Sequence, residues 1–257
     1  MIKAAFFDID CTLYSWANRR YVESGVKAIK AAQKKGLKVF LCTSRPYHSM
    51  YHFGVMDLGI HWDGWVACAG GVSCIKNKII YEEPLDEKTV RSFVKLAQKE
   101  GLMMQLVTPK SRYYTAEKNE YYQKFAETFE EPDAPVHPYH GKRVSTMLLF
   151  APEIYDEEFK QAFPQLSFFR FHEYGIEVTD QPKSKGRGAK AILDALGISK
   201  DEAIGFGDDY ADITMKDGVG TFVAMGNARE EVKKEANFIT ADIDDDGIAK
   251  GLAHFGY

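Results

Sequence analysis

The chain has 257 residues and a formal net charge of −4, so it lacks the basic excess that a nucleic-acid-binding surface shows. Apolar residues make up 45% of it but come in short runs, none near the ~18 needed to span a bilayer. The opening MIKAAFFDID brings acids at once, unlike a signal peptide, and the expectation is a soluble cytoplasmic protein with neither nucleic acid nor membrane as partner.

Residues 2–9 form an apolar, aromatic run that stops at two acids, as a buried parallel strand does. Tyr21, Val22, Val26, Ile29 and Ala32 then recur at helical spacing up to Gly36, and residues 37–42 make another short apolar run. A second helix is expected after Pro46, where His48 and His52 share a face; with no third ligand nearby they read as a solvated helix face rather than a metal site. Residues 65–68 read as a third strand before a hairpin that turns at residues 76–78.

The texture changes over residues 83–183. Pro84, Pro109, Pro132, Pro135 and Pro138 punctuate short strands and a few helices, and tyrosine is frequent. Single cores stop growing near ~250 residues, so this stretch reads as an inserted domain. Its tyrosines, as in Arg112-Tyr113-Tyr114 and Tyr121-Tyr122, suit either ligand binding or core packing. Arg112 and Arg143 suit either substrate contact or solvated surface charge.

The earlier alternation then returns. Residues 189–196 are helical and end at Gly197, 203–206 form a strand, 209–215 a helix and 220–224 a strand. The two blocks read as halves of one doubly wound parallel sheet, giving an α/β core of residues 1–82 and 184–257 with an inserted α+β domain. The acid run at residues 242–246 lacks the spacing of a calcium loop and reads as a solvated turn before the last helix. The four cysteines, Cys11, Cys42, Cys68 and Cys74, have no CxxC spacing, so reduced thiols are expected.

The chemistry-bearing signals lie where strands end, the place where open parallel sheets bind ligands. In FFDIDCTLY, Asp8 and Asp10 are two apart on a strand end and point to the same side. Adjacent carboxylates suit a nucleophile with its acid-base partner, or a turn cap. In KVFLCTSRP, Thr43 and Ser44 offer hydroxyls and backbone amides to a phosphate oxygen, or cap a helix. In QPKSKGRGAKAIL, Lys183, Lys185 and Arg187 precede a helix, where a lysine can neutralise a phosphoryl group or join a surface cluster. In AIGFGDDYADITM, the oxygen-only acids Asp208, Asp209 and Asp212 follow a strand and suit magnesium.

In this order the motifs resemble the haloacid dehalogenase-like superfamily. Ser-Lys-Gly at residues 184–186, VAMGNA at 223–228 and DDDGIAKGL near the end are similar to its Cof-type sugar-phosphatase branch, and the insert is similar in position and length to that branch's large cap. The resemblance implies a magnesium-dependent phosphatase acting on small phosphorylated metabolites, such as sugar phosphates, through an aspartyl-phosphate intermediate. It implies Asp8 as nucleophile and Asp10 as general acid and base. Thr43 and Ser44 would hold the phosphate, with Lys185 bridging it to Asp8. Magnesium would be held by Asp8, the backbone carbonyl of Asp10, and Asp208, with Asp212 as ligand or orienting group. Such monoesters hydrolyse so slowly that catalysis can reach ~10²¹-fold, most of it from positioning and charge neutralisation.

The sequence departs from that pattern in three places. Asp209, Tyr210 and Ala211 stand where the last motif has glycine and asparagine, Ala69-Gly70 replaces Asn-Gly, and Ser44 replaces a glycine. Two other readings use the same residues: a phosphosugar mutase-like phosphotransferase, and a phosphate-ligand-binding protein without turnover. Neither GxxxxGK[ST] nor a GxGxxG following a strand is present, which argues against a nucleotide enzyme.

Overall fold

The computed structural model describes residues 1–128 and 133–257; Pro132, one of the expected breaks, lies outside them. The chain begins with β1 (Ala4–Phe7), the short strands β2 (Tyr14–Ser15) and β3 (Arg20–Tyr21), α1 (Glu23–Lys34), β4 (Lys38–Cys42) and α2 (Tyr47–His52). It continues with β5 (Gly64–Ala67), β6 (Val72–Ile75), β7 (Lys78–Glu82), α3 (Glu87–Lys99), β8 (Met103–Val107), β9 (Arg112–Tyr114) and α4 (Glu120–Ala126). Then follow β10 (Thr146–Phe150), α5 (Asp156–Ala162), β11 (Ser167–His172), β12 (Gly175–Thr179), α6 (Lys185–Leu196) and β13 (Ala203–Gly207). The last elements are α7 (Tyr210–Ile213), β14 (Thr221–Ala224), α8 (Glu230–Glu235), β15 (Phe238–Ile239) and α9 (Gly247–His254). Two units result: Met1–Arg45, Phe53–Tyr81 and Lys183–Tyr257 form one, and Pro46–His52 with Glu82–Pro182 form the other.

The first unit is built on a sheet in the order β15-β14-β13-β1-β4-β5-β6-β7. β1 pairs in parallel with β13 on one side and β4 on the other. The parallel run extends to β14, β15 and β5, and β6 returns antiparallel beside β5. Strand order therefore reverses at β1, which makes its carboxyl end the switch point where ligands bind in such sheets.

Both faces of β1 are covered, which is why its sequence reads as an unbroken apolar run. Phe6 stacks on Phe40 at 4.9 Å and packs with Ala189, Ile192 and Leu193 of α6. Phe7 stacks on Phe206 at 5.0 Å, and the Phe206 ring lies against Gly251 of α9. Ser184 starts α6 at Lys185 by accepting a hydrogen bond from the Arg187 backbone N–H at 3.3 Å. That cap extends the helix upstream of its apolar periodicity.

The second unit has an antiparallel sheet in the order β11-β12-β10-β8-β9. α3 and α5 pack on one face through Val90, Phe93, Ala97 and Phe159, against Leu106, Met147, Leu149 and Val178. On the other face, Tyr122 and Phe125 of α4 pack with Met103, Tyr114 and Phe150. The tyrosines are packing groups here: Tyr113, Tyr114 and Tyr122 are buried, and the Tyr114 and Tyr122 hydroxyls share a hydrogen bond of 2.8 Å.

The structure decides the surroundings of three polar residues. Arg112 is buried rather than a solvated charge, because β9 turns it inward. Arg143 is exposed and pairs with Glu82 at 3.1 Å. His48 is half-buried rather than solvated: burial first, and the charge of Arg112 second, push its pKa down to about 3, so it is a neutral imidazole. Among the described residues no helix is long and apolar enough to cross a membrane.

One ion pair holds the second unit together across its sheet edge. Arg170 of β11 grips Asp156 of α5 with both ends of its fork, Nε reaching Oδ2 at 3.0 Å, and Nη1 donates to the carbonyls of Ala151, His172 and Glu173. Removing one partner of a buried pair leaves the other unpaired. Arg170→Ala should lower stability by about 3 kcal/mol, read as a shift of the urea midpoint in circular dichroism; an unchanged midpoint would show that the pair holds nothing.

Candidate active site

The carboxyl ends of β1, β4 and β13 converge with the start of α6. Asp8 follows β1 directly and is 6% exposed. The next residues form a tight turn in which Leu13 and Tyr14 donate backbone hydrogen bonds to the Ile9 carbonyl, at 2.9 and 2.8 Å, and Cys11 has a left-handed backbone with φ 53°. Asn227 clamps the turn from across the sheet. Its Nδ2 donates to the Cys11 carbonyl at 2.8 Å while its Oδ1 accepts from the Ile243 N–H at 2.9 Å.

Lys185 is 2% exposed at the first turn of α6, and its ammonium bridges two carboxylates, Asp8 Oδ1 at 2.8 Å and Asp212 Oδ1 at 2.5 Å. It belongs to the site and to no surface cluster. Gly70, with φ +102°, lets the loop after β5 approach this turn; a Cβ there would overlap the Ser184 carbonyl. Of the replaced Asn-Gly pair, the glycine is thus the half that the backbone requires.

After β13 the chain turns back on itself so that Asp212 Oδ2 accepts from the N–H groups of Asp208 at 2.9 Å and Asp209 at 3.1 Å. Gly207 is needed there, since a Cβ would collide with the Asp212 carboxyl. Asp208 points inward and accepts from the Thr12 hydroxyl at 3.0 Å. Asp209 points outward, where it caps α7 through the Tyr210 N–H at 2.8 Å and pairs with Arg229 at 3.1 Å. The acid at the usual glycine position is therefore held by Arg229, outside the cluster.

Carboxylate oxygens of Asp8, Asp208 and Asp212 lie within 4.8 Å of one another. Burial first, and Asp212 next, push Asp8 well above the ordinary carboxylate range despite the pull of Lys185. Burial and then Asp212 push Asp208 up to about 7. Burial opposes the charge of Lys185, but Asp212 and then Asp8 outweigh it and hold the ammonium charged. Three carboxylates around one ammonium still repel one another. The donor set is oxygen only and fits one further hard cation.

Thr43 follows β4 and is buried; its Oγ1 accepts from the Arg45 N–H at 3.1 Å, which leaves its own proton to donate. Ser44 is exposed beside it. Asp10 does not join the carboxylate cluster through its side chain. Both of its oxygens face Arg45, Nε to Oδ2 at 2.8 Å and Nη2 to Oδ1 at 2.7 Å, and the Trp16 indole donates to Oδ1 at 3.0 Å. Sequence reasoning assigned no role to Thr12, Trp16, Arg45 or Asn227. Thr12, Arg45 and Asn227 lie inside motifs already singled out, and Trp16 carried no signal, since its spacing from Asp10 becomes proximity only through the hairpin of β2 and β3.

The chain is similar to known proteins over nearly its whole length. The family model for haloacid dehalogenase-like hydrolases matches residues 5–252. YkrA of Bacillus subtilis (strain 168) is 31% identical over 99% of this chain and 98% of its own length. A structure of a protein from Geobacillus kaustophilus HTA426 superposes with a TM-score of 0.92 at 29% identity, covering 99% of both chains. The HAD subclass IIB sugar phosphatase BT4131 superposes with a TM-score of 0.79 at 31% identity, also covering 99% of both chains.

The raised pKa of Asp208 makes a pH prediction for the metal-free protein. A carboxyl whose folded pKa lies above its unfolded value of 3.8 adds stability below the unfolded value and loses it as pH rises through about 7. In a chelator, Asp208→Asn should therefore be more stable than wild type at pH 8, with the difference shrinking toward pH 5. Urea midpoints of the two proteins measured across that range check it, and a difference independent of pH would contradict the raised value.

Proposed function

The chain belongs to the haloacid dehalogenase-like hydrolase family, and from that premise we propose that it is a magnesium-dependent phosphatase of small phosphorylated metabolites. The observation that carries this reading is the bridge of Lys185 between Asp8 and Asp212, with Asp208 beside them, at the switch-point end of β1. A buried nucleophile, a fixed positive charge and a cation-demanding acid cluster at one strand end are what transfer of a phosphoryl group needs.

In this mechanism an Asp8 carboxylate oxygen attacks phosphorus and forms an aspartyl phosphate as the bond to the leaving oxygen breaks. Asp10 gives its proton to that oxygen. In the second half a water oxygen bonds to phosphorus, its proton passes to Asp10, and the Asp8 carboxylate leaves with release of phosphate. Lys185 neutralises negative charge on the phosphoryl oxygens, while the Thr43 hydroxyl and the Ser44 turn donate to one of them. Asp8, Asp208 and the Asp10 backbone carbonyl would hold magnesium, which when bound neutralises the phosphoryl group and orients it. Both oxygens of Asp212 already accept from Lys185 and from backbone N–H groups, which favours Asp212 as the orienting group.

The substrate class rests on similarity to BT4131, described as a sugar phosphatase, and on the net charge of −4, which opposes a polyanionic partner. The proposed partner is thus a small phosphate ester, handled in the cytoplasm, with neither nucleic acid nor membrane involved.

Magnesium-dependent phosphate release from a panel of hexose and pentose phosphates tests the reading, and Asp8→Asn should lower turnover by at least about 10³-fold without unfolding the protein. A folded Asp8→Asn variant with near-normal turnover would exclude the covalent route. Calorimetric titration separates the two neighbouring acids: Asp208→Asn should weaken magnesium binding at least about tenfold, and Asp209→Asn within about twofold. A larger loss at Asp209 would mean that the wrong acid has been assigned to the metal.

A further inference from the structure

Asp10 must present its carboxyl to two different oxygens in the proposed cycle, first that of the leaving group and then that of water. The terminal torsion of an aspartate is broad and selects no single orientation by itself. Around Asp10 the structure supplies a holder made of residues from three segments. Arg45 closes on the carboxyl with a two-pronged fork, Nε to Oδ2 at 2.8 Å and Nη2 to Oδ1 at 2.7 Å. Its guanidinium lies 3.8 Å from the centroid of the Phe53 ring. The Trp16 indole adds a third donor, at 3.0 Å to Oδ1.

The holder is itself held. Phe53 packs against Tyr14 at 4.6 Å and Trp16 at 5.6 Å, and its carbonyl accepts from the Tyr21 hydroxyl at 2.8 Å. A guanidinium stacked on a ring can turn only within its own plane, and a fork in that plane fixes the plane of the carboxyl it grips. A lysine would supply the charge without the plane.

We propose that Arg45, stacked on Phe53 and assisted by Trp16, is a positioning residue that orients the Asp10 carboxyl for proton transfer. This rests on the reading of Asp10 as general acid and base. Arg45 touches no reacting atom in this role, and its effect should follow how much the reaction needs a proton from Asp10.

The test compares kcat/KM, which reports on formation of the aspartyl phosphate, for phenyl phosphate and 2,4-dinitrophenyl phosphate. The first must protonate its leaving oxygen; the second releases a stable anion without help. General acid catalysis contributes roughly 10²- to 10⁴-fold, so Arg45→Ala should lose at least about 30-fold on phenyl phosphate and about tenfold less than that on the dinitrophenyl ester. Arg45→Lys should show the same skew and fail to restore the loss, Phe53→Leu should show it more weakly, and Arg45→Ala should add no further loss in an Asp10→Asn background. Arg45→Lys and Phe53→Leu carry the comparison if the alanine variant does not fold. Failure of the phosphatase reading would show in the wild-type protein, as no magnesium-dependent release from either ester. Failure of this proposal would show only in the variants: equal losses on both esters would make Arg45 a phosphate anchor or a structural group, and full rescue by lysine would make it a source of charge alone.

Discussion

The Lys185 ammonium, buried between the carboxylates of Asp8 and Asp212, sets the conditions for everything around it. A lone ammonium in such a place would lose its proton, and lone carboxylates would gain one. The carboxylates hold the ammonium charged, but only because each part is delivered to within hydrogen-bond distance from a different strand or helix. The start of α6, the end of β1 and the turn after β13 are thereby fixed relative to one another. Burying one positive charge among three negative ones leaves the cluster short of a cation, and so ready to take one.

The local departures from ordinary backbone serve that delivery. Gly207 lets the Asp212 carboxyl fold back over the turn, and Gly70 lets a loop reach the first turn of α6. Cys11 takes a left-handed conformation with φ 53° so that the chain leaves β1 in a tight turn, and Asn227 holds its carbonyl there. Thr12, from the same turn, fixes Asp208. Each is a small constraint, and together they hold the oxygens of Asp8, Asp208 and Asp212 near one point. Asp10 is treated differently. Its carboxyl is turned away from that point and into the fork of Arg45, so two acids two residues apart meet opposite surroundings: one crowded by other carboxylates, the other paired with a cation on an aromatic ring.

The second unit obeys simpler packing rules. An antiparallel sheet with apolar residues on both faces needs helices on both, and α3 with α5 and α4 supply them. Its polar interior includes the Asp156 and Arg170 pair, satisfied by a fork and three carbonyls, the buried Arg112 and the half-buried, neutral His48.

How much of this could be read from the chain depends on what kind of interaction each part makes. The strands of the core were legible because burial on both faces demands unbroken apolar runs such as AAFF and KVFLC, and the acids closing them stand out at fixed spacing. Strand ends marked Asp8, Asp10, Thr43, Asp208, Asp209 and Asp212 as candidates, since a strand end in a parallel sheet is a place as well as a position in the sequence. The resemblance carried by the order of the motifs chose among them and singled out Lys185 at the start of a helix. Burial of Arg112 and His48 was not legible, because a charged or polar residue on a short element carries no sign of which way it faces. Nor was the outward turn of Asp209, which depends on Arg229. The sequence by itself determined the alternating α/β core, the insert, and the residues of the carboxylate and lysine cluster. Only the tertiary structure decided that Arg45 would grip Asp10, 35 residues away, and that Trp16 and Phe53 would hold it. A fork and a stack need angles and planes as well as proximity, and these are set by the meeting of separate segments.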